Sequence, residues 1–205
     1  MSDESVDRDD TAAASPESSA DHQSVPVGAV RWDGLLAAHH ARAVAERTTV
    51  PRHAPRAAIV ACSDARVPPS LIFDQPAGSL FVVREAGNTA SPAAVASLDY
   101  AVAELGVHLV VVLGHTHCGA VAAAAEGRCD GYLAPITNQI CGLVADGVDR
   151  DELTERNVEA TLALLAAAPS PVGDGIRSGR VALQGAVYDL ASDTVHSLVP
   201  THPIP

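Results

Sequence analysis

Aromatic side chains are nearly absent from this chain: 2 Phe, 3 Tyr and 1 Trp make up 3% of its 205 residues. A core built on rings is therefore excluded, and the 47% of apolar residues, mostly Ala and Val, must pack as an aliphatic core. Cationic side chains are scarce too, with 13 Lys and Arg against 25 Asp and Glu, for a formal net charge of −12. Such a surface favours solubility and argues against non-specific nucleic-acid binding. No apolar run reaches membrane-spanning length; the longest candidate, residues 107–114, reads as a buried strand. The opening MSDESVDRDD has neither the basic nor the apolar region of a secretory signal. The expectation is a cytoplasmic protein without a nucleic-acid or membrane partner, whose four cysteines stay reduced.

Residues 1–27, rich in Ser, Asp and Ala and without a hydrophobic period, read as a disordered acidic tail. Residues 28–205 read as a single domain. Helical spacing is expected over 32–47, 92–105, 122–126 and 158–168. Short apolar runs predict strands at 57–61, 80–83, 107–113, 181–190 and 194–198. Strands alternating with helices predict an α/β fold with a mostly parallel central sheet flanked by helices.

Two segments carry the chemistry: Cys62-Ser63-Asp64-Ala65-Arg66 and Gly114-His115-Thr116-His117-Cys118-Gly119. Each is expected at the carboxyl end of a buried strand, where open parallel sheets bind ligands. Two thiolates and an imidazole from Cys62, His115 and Cys118 suit zinc, and three protein ligands leave a fourth position open. Cys129 and Cys141 read as small apolar residues rather than as a fourth ligand. Zinc with two thiolates is formally neutral and acidifies water less than a three-histidine centre does, so a helper group is required. Asp64 can accept a hydrogen bond from the water, or it can bind the metal itself and shut the site. An Arg66 guanidinium paired with it would hold it off the metal and keep it ionised. His117, between two ligands, is not expected to bind metal; a rim position would suit it to proton transfer.

At these residues the sequence resembles the β-class carbonic anhydrases. C-S-D-A-R and G-H-T-H-C-G match that family's two zinc segments, and Gly78–Arg84, Ala86-Gly87-Asn88, Asn157-Val158 and 181–189 extend the likeness over about residues 32–195. The resemblance implies a β-carbonic-anhydrase-like fold with an antiparallel C-terminal strand, so that 28–205 would be one zinc-binding catalytic domain. It implies Zn²⁺ on Cys62, His115 and Cys118, an Asp64/Arg66 catalytic pair, and reversible hydration of carbon dioxide to bicarbonate. It further implies a dimer or tetramer, with Phe81 and Tyr100 lining the pocket for carbon dioxide and backbone donors near Gly119. His53 stands where many members have a substrate-binding Gln, and Glu85 replaces the Asn of the familiar R-N-A-G. Ile59 stands where members with a bicarbonate-closed site have Trp, which favours the open form. Carbon disulfide or carbonyl sulfide hydrolysis on the same site, and an inactive zinc-binding scaffold, are the rival readings.

Overall fold

The computed structural model describes residues 32–41 and 49–198. The chain divides into two units, Met1–Thr49 and Val50–Pro205. In the first, helix α1 spans Trp32–Ala41. The expected tail over 1–27, and the end of the expected first helix beyond 41, lie outside the described residues.

The second unit alternates strands and helices: β1 (Ala57–Ala61), α2 (Pro69–Ile72), β2 (Leu80–Arg84), α3 (Pro92–Ala103), β3 (Leu109–His115), α4 (Gly119–Ala125), α5 (Ala134–Cys141), α6 (Arg150–Ala167), α7 (Pro171–Arg177), β4 (Ala182–Asp189) and β5 (Thr194–Leu198). The strands form one sheet in the order β2-β1-β3-β4-β5. All neighbouring pairs are parallel except β4 and β5, which are antiparallel. This is the expected α/β architecture with its antiparallel C-terminal strand.

Continuous apolar runs make the central strands because both faces of the sheet are covered. Ala58, Val60, Val110 and Val112 face one cluster, closed by Leu98 of α3, Val158, Leu162 and Leu165 of α6, and Val172 of α7. Ala57, Ile59, Ala61, Val111 and Leu113 face the other, closed by Val121 and Ala124 of α4 and Ile140 of α5. Helix α6 lies close on β3: a Cβ at Gly114 would stand 2.7 Å from a Val158 methyl, so a side chain there would push the helix off the strand. Among the described residues, no helix is long and apolar enough to cross a membrane.

Several boundaries differ from the sequence expectation. β3 begins two residues later than expected and takes in Gly114 and His115, so His115 is the last residue of its strand rather than the first of a loop. α6 begins at Arg150 instead of Val158: its polar first turns are started by Asp149, whose side chain accepts from the Asp151 and Glu152 amides. Helices α2, α5 and α7 are not foreshadowed by periodicity; each carries Pro in its first turn, where the missing N–H costs nothing.

The expectation that Cys129 and Cys141 are free apolar residues is corrected. They form a disulfide, with Cα atoms 6.1 Å apart, between the loop after α4 and the end of α5. Neither is fully buried. Pairing needs this Cα separation, and here it is created by α5 folding back beside α4. The disulfide also departs from the expectation that all four thiols are reduced.

Candidate metal centre

Sheet register brings the two motif segments together. Ala61 pairs with Arg84 on one side and Leu113 on the other, so β1 and β2 end at the same level and β3 runs two residues beyond them. Cys62 follows β1 directly, His115 closes β3, and Cys118 is the N-cap residue of α4. Their three ligand atoms lie within 4.8 Å of one another, and all three residues are buried. The two sulfurs are 3.9 Å apart.

The imidazole is set for a metal. His115 Nδ1 lies 2.8 Å from the Thr116 carbonyl oxygen, to which it donates, so Nε2 carries the lone pair. That Nε2 is buried and has no hydrogen-bond partner. An orphaned acceptor beside two thiols is costly in a metal-free core and is satisfied by a divalent cation.

The two thiols are biased in opposite directions. Its bond with Cys118 pulls the Cys62 thiol well below its usual range against the effect of burial, helped by the neighbouring His115 ring and then by the amides of Gly87 and Asp64. These donate to Cys62 Sγ over 3.3 and 3.4 Å. Cys118 is pushed up, first by sharing its proton with Cys62 and then by burial, while the Val121 and Ala120 amides oppose the rise. Two thiols sharing one proton form a site whose second proton leaves when a cation enters.

Asp64 and Arg66 form a forked pair: Nε donates to Oδ1 over 2.9 Å and Nη2 to Oδ2 over 2.6 Å. The Arg66 backbone amide also donates to Oδ1. These bonds hold the Asp64 carboxyl well below the usual carboxylate range. With both oxygens engaged, Asp64 stands outside the ligand cluster. Arg66 Nη2 also reaches the His117 carbonyl over 3.2 Å, which ties the pair to the second motif segment. His117 itself is exposed, at φ 56°, and is not in the cluster.

A profile of the carbonic anhydrase family matches residues 57–195. The chain belongs to the β-class carbonic anhydrase family. It is 40% identical over 146 residues to carbonic anhydrase 2 of Mycobacterium tuberculosis, covering 66% of this chain and 70% of that protein. It is 36% identical over 188 residues to the carbonic anhydrase of Pseudomonas aeruginosa, covering 81% and 85%. Among solved structures, the Coccomyxa β-carbonic anhydrase in complex with acetazolamide superposes with a TM-score of 0.65 at 26% identity, over 82% of this chain and 81% of that one. One of two tetrameric β-carbonic anhydrases from Sordaria macrospora gives 0.62 at 28% identity, over 71% and 81%.

Within this carbonic anhydrase chain the remaining expected residues divide. Gly119 begins α4, and a Cβ there would meet nothing within 4 Å, so open space adjoins the metal cluster at Cys118. Phe81 packs instead on the cluster of Ala58 and Val60, whereas Cys62 and Cys118 belong to the other cluster. The exposed His53 ring stacks on Phe81 at 6.3 Å between centroids, and Tyr100, also exposed, stands 6.3 Å from Phe81. The structure thus joins these three to one another and not, within one chain, to the metal cluster.

Sequence reasoning misses several residues that serve the site. Arg84 Nε donates to the Cys62 carbonyl over 2.8 Å and its Nη2 donates to the Asp64 carbonyl, so one side chain holds the backbone on both sides of Ser63. Its position at the end of β2, level with Ala61, is the signal that could have found it. Glu85 accepts from the Ser91 amide and hydroxyl while Ser91 caps α3 through the Ala94 amide. The exchange of Asn for Glu at this position therefore serves the helix start.

Proposed function

We propose that this chain catalyses the reversible hydration of carbon dioxide to bicarbonate and a proton, on Zn²⁺ held by Cys62, His115 and Cys118. The observation that carries the reading is the convergence of these three donors, with His115 Nε2 buried and unpartnered, beside a carboxylate kept ionised by Arg66. A zinc ion bound there would supply Lewis acidity and lower the pKa of water. Asp64 accepts a hydrogen bond from the attacking water and so orients its lone pair toward carbon dioxide. Arg66 keeps Asp64 ionised and turned away from the metal, which supports the open form of the site. The proton leaves to buffer, or through His117 at the exposed rim.

Self-association completes the proposal. The row of exposed His53 and Tyr100 about the half-buried Phe81 fits a pocket wall supplied by a second copy of the chain, in a dimer or tetramer.

Stopped-flow hydration of carbon dioxide, with zinc quantified on the same sample, tests the reading. One zinc per chain and rapid hydration are expected. Cys62→Ser should lose the metal and the activity together. Full zinc occupancy without hydration would sink the proposal.

A further inference from the structure

The Gly87 amide is one of two backbone donors on the Cys62 sulfur, at 3.3 Å. Gly87 sits at φ 76° and Asn88 at φ 47°, in a short turn between β2 and α3. A glycine has little intrinsic preference for one amide direction, so bonds must hold it: within the turn the Asn88 amide donates to the Glu85 carbonyl over 3.0 Å, and the Gly87 and Asn88 carbonyls are left to be held from outside. Two side chains do so. Asn157 Nδ2 donates to the Gly87 carbonyl over 2.6 Å, and Thr161 Oγ1 reaches the Asn88 carbonyl over 3.4 Å. Asn157 is held in turn: its Oδ1 accepts from Gln139 Nε2 over 2.9 Å, and the same nitrogen donates to Thr161 Oγ1 over 2.9 Å.

Asn157 and Thr161 are both 0% exposed. Neither they nor Gln139 belong to the ligand cluster. Their helix surrounds them with Leu153, Val158, Leu162 and Leu165, all buried. Packing alone would be met by another leucine, and a buried amide is tolerated only where it is bonded. One task remains for this amide: to fix the turn whose N–H meets the metal-binding sulfur.

We propose that Asn157, steadied by Gln139, is a positioning residue for the metal centre, holding the Gly87 amide on the Cys62 sulfur. The inference rests on the zinc reading above. An N–H···S bond draws charge from a thiolate and orients it. Outer partners of metal ligands change metal affinity by roughly 10- to 100-fold when removed. Losing this one should weaken zinc binding, and it should raise the electron donation of the sulfur.

The test uses the full chain and three variants. Asn157→Leu keeps the branching at Cγ and removes the donor to Gly87. Gln139→Leu, at a half-buried position, frees Asn157 without placing an apolar group on the turn. Thr154→Val is the control: Thr154 is buried on the same helix and donates to the Arg150 carbonyl, away from the turn. Zinc affinity is read by competition with a chromophoric chelator. The sulfur is read by the thiolate-to-metal charge-transfer band of the cobalt-substituted protein. Asn157→Leu should raise the zinc dissociation constant about 10- to 100-fold and move the cobalt band to longer wavelength. Gln139→Leu should shift both in the same direction by less, and Thr154→Val should leave both unchanged. A folded Asn157→Leu protein with parental affinity and band overturns the proposal; if that variant does not fold, parental values for Gln139→Leu overturn it. A parent chain that binds cobalt without any thiolate band refutes the ligand set itself, and this inference falls with it.

Discussion

At the scale of the residue, Asp64 is decided by its partner. Its carboxylate takes both Arg66 nitrogens and the Arg66 amide, and this lowers its pKa from the ordinary 3.8. A group whose pKa is depressed by folding contributes stability above its unfolded value and loses that contribution as pH falls through the folded one. The pair is therefore intact throughout the neutral range and fails only in acid. Any neutral-range inflection in kcat/KM belongs to another group. Asp64→Asn should lower turnover by about 100-fold or more, with zinc still bound and the neutral inflection still present. Stopped-flow profiles across pH would show this, and an undiminished rate would remove Asp64 from the mechanism. Asp64 and Arg66 are legible in the motif spacing alone, because the two are near neighbours in the chain and their fork is local. Arg84 is not legible there: its targets, the Cys62 and Asp64 carbonyls, lie about 20 residues away in sequence and are near only because β1 and β2 run parallel.

At the scale of the element, uniform apolar runs place the strands at or within two residues of their true bounds, whereas short helices started by proline leave no such trace. Periodicity needs length to be seen, and α2 with its 4 residues offers little more than one turn. The turn after β2 shows how tightly such pieces are fitted. A methyl at Gly87 would stand 3.0 Å from Ile140 Cδ1 and 3.1 Å from Ala120 Cβ, on a backbone at φ 76°. Gly87→Ala should cost about 1–2 kcal/mol from backbone conformation alone, and urea unfolding would measure it; a variant as stable as the parent would show that the turn can relax. The disulfide closes a 12-residue separation between the α4 loop and α5. Denatured, unreduced protein should expose two reactive thiols and four after reduction. Cys129→Ser should lower stability by about 2–3 kcal/mol on the chain-entropy account. Four thiols without a reductant would mean that the crosslink is absent.

At the scale of the whole molecule, the neighbouring C-terminal ends of β1 and β3 bring together segments about 50 residues apart, while the aromatic row of His53, Phe81 and Tyr100 meets the other face's cluster through Phe81. If a second copy completes the pocket, sedimentation should give a dimer or larger species in the active preparation. A monomer with full activity would contradict that arrangement. The Cys and His donors of the candidate site, the neighbouring Asp64/Arg66 pair and the α/β alternation are all legible in the sequence, because each is written in local spacing or in runs of one residue class. Tertiary structure alone decided which cysteines pair, where the aromatic row falls, and what holds the Cys62 sulfur. Each of these depends on the separation of residues distant in the chain, and that separation is set by sheet register and helix packing.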